Sequence, residues 1–116
     1  IMKIVNTFNS NILLFLEQLY LLTNNKLFIE KNNMCKTILK FNNKYIINLF
    51  IEYIIPYQDY IHNRDLLILD ILQNLELFTN IKLNIIWENL DETNKNKCWT
   101  YLDTFIILSN NYYLNK

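Results

Sequence analysis

Apolar residues recur at spacings of three and four along nearly the whole chain, the pattern of helices that each bury one face. In the first segment Ile12, Phe15, Leu16, Leu19 and Leu22 build one stripe, with Glu17 and Gln18 beside it. The pair Asn24–Asn25 marks its end. A second helix is expected from about Lys26 to Phe41, with Phe28, Cys35, Ile38 and Leu39 inward and Lys31, Lys36 and Lys40 on the wet side. A third is expected from about Asn43 to Ile55. There Tyr45, Leu49 and Tyr53 form one ridge, and Ile46, Phe50 and Ile54 form the next. Apolar residues thus cover most of its circumference, which marks a central, well-buried helix.

Pro56 removes a backbone donor and disfavours helical geometry at Ile55, so a break or kink is expected there, followed by a short turn through Tyr57–His62. A fourth helix opens near Asn63–Asp65, with Leu67, Ile71, Leu75 and Phe78 as its stripe. Thr79–Asn80 interrupts it before a shorter piece, Ile81–Leu90. The last helix has the clearest start. Asp91 caps, Glu92 suits the positive end of the dipole, and Cys98, Tyr101, Leu102, Phe105 and Leu108 carry the buried face. No stretch alternates with period two, and no Asn-Gly hairpin signal exists. The expected fold is all-α: a compact bundle of five to six mostly antiparallel helices around a hydrophobic central helix, in one domain over residues 1–116.

Composition sharpens this picture. With 52% hydrophobic residues the chain has material for a core without a disulfide or metal staple. It contains no glycine, no alanine, and one each of proline, valine and arginine. Such a bias reads as the product of an AT-rich genome. Without glycine, positions that need positive φ fall to asparagine. The pairs Asn24–Asn25, Asn32–Asn33, Asn42–Asn43 and Asn110–Asn111 are expected at helix termini and turns. Ile1–Met2 at the start suggests a trimmed chain, an unusual start codon or a piece of a longer protein.

Eleven basic and eleven acidic residues give zero net charge, which argues against a dedicated nucleic-acid binder, since such proteins carry a basic face. Apolar runs such as Tyr45–Ile55 are too short and too interrupted for a transmembrane segment. Cys35 and Cys98 are expected as free thiols in a reducing compartment. With one histidine and no CxxC or HxxxH spacing, no metal site is expected. No cofactor motif is present.

Candidate chemistry is sparse. His62, Arg64 and Asp65 form the one cluster with chemical variety, and the start of a helix explains it, with Arg64 available for a carboxylate. Asp91–Glu92 is explained by capping, and no nucleophile motif occurs. No catalytic residue is therefore assigned, and the protein is expected not to be an enzyme. Trp87 and Trp99 can pack on one another across the turn between the last two helices. Aromatics are also enriched at interfaces, so Trp87, Trp99, Tyr101, Tyr112 and Tyr113 are the candidate partner-binding residues. Tyr112–Tyr113–Leu114 is expected to follow the last helix as an exposed docking edge. Lys95, Lys97 and Lys116 are expected on a solvated face.

Two blocks carry a resemblance. One is Phe50, Glu52–Tyr53, Pro56–Tyr57, Ile61 and Arg64–Asp65. The other is Trp87, Leu90, Asn94–Lys95, Lys97, Trp99 and Tyr101–Leu102, reading W-x-x-L, N-K and W-x-Y-L. Together they resemble small helical proteins of AT-rich giant viruses, the nucleocytoplasmic large DNA viruses related to mimivirus. The likeness reaches back to Phe8–Asn9. Cys98 departs from it where an aliphatic residue is expected, and Leu66–Leu67 where acidic and aromatic residues are. The resemblance implies a helical bundle and a viral source, in the virion or the host cytoplasm, and no activity.

The expected function is a non-enzymatic protein–protein interaction module, a viral assembly, virion or host-modulating protein that binds a protein partner or forms a homo-oligomer. Two alternatives are a structural subunit of an organellar or ribosomal assembly and a Bcl-2-like helical groove binder. For the latter, Tyr45–Ile55 would be the central helix, although that family's glycine-containing groove motif is absent.

Overall fold

A computed structural model describes all residues 1–116 and is entirely helical, without a strand. Two long helices frame it, α1 (Met2–Thr23) and α7 (Glu92–Asn115). Between them run α2 (Leu27–Phe41), α3 (Tyr45–Tyr53), a 3-10 turn (Ile55–Tyr57), α4 (Gln58–His62), α5 (Leu67–Leu72) and α6 (Leu83–Asn89). The molecule measures 38 × 31 × 22 Å along its principal axes. No helix is long and apolar enough to cross a membrane.

Local chemistry sets the helix boundaries. α1 buries Val5, Phe8, Ile12, Phe15, Leu16 and Leu19 on one stripe. It stops where Asn24 turns left-handed at φ 55°, its amide donating to the Tyr20 carbonyl. The next amide but two, on Leu27, donates to Asn25 Oδ1 at 3.0 Å and so opens α2. Only three residues, Asn24 to Lys26, separate the helices, so α2 folds back along α1. Asn42 then leaves the helical region at φ −149°, and its Oδ1 accepts from the Lys44 amide. At the other end Asp91 caps α7 as expected, accepting from the Asn94 amide at 2.9 Å.

The core closes where α1, α3 and α7 meet. The rings of Phe8, Phe50 and Phe105 form a triangle with centroids 5.3 to 5.4 Å apart, in tilted and edge-on arrangements favoured by the ring quadrupole. Phe15 extends the cluster to Phe78, which lies in the turns after α5. Asn9 donates Nδ2 to the Asn43 carbonyl at 2.8 Å and so ties α1 to the α2–α3 connection.

Several expectations are corrected. α3 buries Ile46, Ile47 and Phe50, with Ile54 just beyond it, but its Tyr45–Leu49–Tyr53 ridge stays at the surface, Tyr53 being 50% exposed. The segment after Pro56 is more than a turn: it winds into α4 and buries Ile61. The fourth helix is much shorter than its periodicity implies. α5 ends at Leu72, and Gln73–Asn80 continues as turns that still bury Leu75, Leu77 and Phe78. Its buried stripe is Ile68, Leu69 and Leu72, while Leu67 faces out. Asp65 sets that register by accepting the Leu67 amide on Oδ1. Two asparagine pairs lie inside helices, where their side chains are tertiary ties. Asn32 donates to the Leu13 carbonyl and Asn110 to Gln58 Oε1. Lys31 is not on a wet face either: its Nζ donates to the Glu76 carbonyl and to Thr79 Oγ1.

Candidate functional site

The five aromatic residues singled out from sequence separate in space. Trp87 and Trp99 do pack across the α6–α7 turn, edge to face with centroids 5.0 Å apart, but both are buried. Tyr112 is buried too, because α7 continues past it to Asn115; the expected docking edge is the helix's last turn. Those three side chains are almost wholly covered by the rest of the chain. Tyr113 is exposed, with Lys116 Nζ 5.2 Å from its ring centre. Tyr101 is half-buried and packs on Phe15. It lines a cleft of about 550 Å³ between α1 and α7, together with Gln18, Asn96 and Lys97.

Within the His62–Arg64–Asp65 cluster, Arg64 and Asp65 are engaged by the fold. Arg64 sits at φ 55° and grips Asp103 on α7 with both terminal nitrogens, at 2.8 and 2.7 Å. Its guanidinium also lies 5.2 Å from the Trp99 ring centre. The hydrogen bond to Asp103 holds the Arg64 pKa above its ordinary value. Asp65 is occupied with the Leu67 amide, and His62 is exposed at the end of α4. Both cysteines are free and buried. Burial pushes the Cys98 thiol up to about 11; it does the same at Cys35, against a smaller opposing effect of Lys31. Neither thiol is a ready nucleophile at neutral pH. No three of the His, Cys, Asp and Glu side chains come together as a ligand set.

The half-exposed ridge of α3 builds a surface cleft in which six of the eight lining residues are apolar. Tyr45, Leu49 and Tyr53 follow one another at four-residue spacing, so they stand in a row along the helix. Tyr57, from the 3-10 turn, and Ile71 and Leu75, from α5 and the turn after it, form the facing wall. The space between is about 500 Å³, with Asn74 and Glu76 at its edge. Tyr57 stacks on Tyr60 at 6.0 Å, which fixes that wall. Glu76 is the one charged group in the lining, and it has no ion-pair partner.

The α3 ridge was visible in the sequence as a second apolar row. What periodicity does not carry is that Tyr57 of the 3-10 turn and Ile71 of α5 line the same cleft as that row. No family model, curated protein or solved structure matches the chain.

Proposed function

We propose that this protein is a non-enzymatic interaction module, a viral assembly, virion or host-modulating protein, and that its docking surface is the α3 cleft. One observation carries the reading: a helix with two apolar ridges buries one and leaves the other, tyrosine-rich, lining an open cleft. Tyrosine supplies large, rigid contact area at low entropic cost and keeps a hydroxyl for the rim. A cleft of this size, six of whose eight lining residues are apolar, suits the side chains along one face of a partner helix. The source is implied by the resemblance of the Phe50–Asp65 and Trp87–Leu102 blocks together. The absence of a catalytic role rests on the engagement of Arg64 and Asp65 in structure and on the buried thiols.

Panning a displayed peptide library against the purified chain tests the cleft. Peptides with an apolar anchor should be enriched, and they should fail to bind Tyr53→Lys. Tyr53 is half exposed, so that substitution leaves the core intact. No enrichment on a monomeric chain, or binding indifferent to Tyr53→Lys, would remove the cleft as a docking surface.

A further inference from the structure

We infer that the occupant of the α3 cleft is a second copy of this chain, each copy inserting Phe41 into the cleft of the other. This rests on reading the cleft as a docking surface. Phe41 is the last residue of α2 and is 88% exposed, more than any other large apolar side chain in the molecule. The extended backbone at Asn42 turns the chain away beneath it and leaves the ring standing free. Four residues on, Tyr45 begins the cleft, so knob and hole lie next to each other. A patch that carries both halves of a contact side by side is self-complementary about a twofold axis, the commonest symmetry of protein dimers.

Charge points the same way. Lys40 and Lys44 flank Phe41 closely in sequence, and both are exposed and without ion-pair partners. On the cleft side Glu52, beside Tyr53, and Glu76 are exposed and equally unpaired. A twofold exchange brings the lysines of each knob against the glutamates of the other cleft. The zero net charge of the chain puts no long-range repulsion in the way of self-association.

Light scattering on the full chain across a concentration series provides the test. The mass should approach twice 14.2 kDa. Phe41→Asp and Tyr53→Lys should each be monomeric while keeping the helical circular dichroism spectrum and melting temperature of the wild type. Mixed together, these two variants should form a heterodimer at least tenfold weaker than the wild-type dimer, because one intact knob meets one intact cleft. Lys40→Glu with Lys44→Glu should weaken the dimer at least tenfold, and adding Glu52→Lys with Glu76→Lys should restore it. A wild type that stays monomeric, or a Phe41→Asp variant that still dimerises, overturns the proposal. Peptide panning on Phe41→Asp separates this from the docking reading. If the wild type is monomeric yet peptides still enter the cleft, self-association falls and docking stands; if none enter, both fall.

Discussion

Asn24, Arg64 and Asn80 hold positive φ, at 55°, 55° and 66°. In a chain without glycine, asparagine takes two of these positions as the next most tolerant residue, and Asn24 was legible as a helix terminator for that reason. Arg64 was not, since arginine has no general preference for that region. Its side chain is held by the Ile61 carbonyl at 3.1 Å, by Asp103, 39 residues away, and by the Trp99 ring. This difference is testable. Neither Asn24 nor Asn80 uses its side chain in a hydrogen bond, so Asn24→Gly and Asn80→Gly should each change stability by no more than about 0.5 kcal/mol in urea unfolding, relief at positive φ offsetting the greater freedom of the unfolded chain. Asn24→Val should cost about 1–2 kcal/mol, because a β-branched residue is strongly disfavoured in the left-handed region. Equal stability of the Gly and Val variants would show that the turn does not depend on that conformation.

Among the elements, α1 and α2 end and α7 begins where the pattern implies, and α5 does not keep its implied length. The stripe Leu67, Ile71, Leu75 and Phe78 implies a helix through Phe78, yet regular helix stops at Leu72. Turns suffice to bury Leu75 and Phe78, and Asn80 in the left-handed region turns the chain toward α6. Those turns are held from outside by Lys31 of α2, whose ammonium meets the Glu76 carbonyl at 2.6 Å and Thr79 Oγ1 at 2.9 Å. Charge-assisted bonds of this kind contribute about 1.5–3 kcal/mol in favourable settings, and less where water reaches them as it does here. Lys31→Ala should therefore speed amide hydrogen exchange at Phe78 and Thr79, whose amides bond to the Leu75 carbonyl, and leave the middle of α1 and α7 unchanged. Uniform acceleration across the chain would mean that Lys31 supports the whole fold rather than this segment.

At the scale of the whole molecule, one continuous core joins all the helices, and Cys35 of α2 and Cys98 of α7 lie in it. Both thiols should react with an uncharged alkylating reagent together, at the rate of global unfolding; fast native-state labelling of either one would mean that its helix opens separately. The pH dependence has a definite sign. Burial raises both thiols from 9.0 to about 11, so the stabilisation by the neutral buried thiol is complete below pH 9 and is lost as pH rises toward 11. The difference in melting temperature between wild type and Cys98→Ala should be flat below pH 9 and shrink above it. By itself the sequence determined the helical class, the stops at Asn24 and Pro56, the cap at Asp91 and the contact of Trp87 with Trp99. Each depends on residues close along the chain, where spacing and backbone preference decide. Only the tertiary structure decided which ridge of α3 is left bare, where Lys31 and Arg64 bind, and that Trp87, Trp99 and Tyr112 are core rather than surface. Those outcomes depend on partners far apart in sequence, and periodicity carries no information about which face a distant helix will cover.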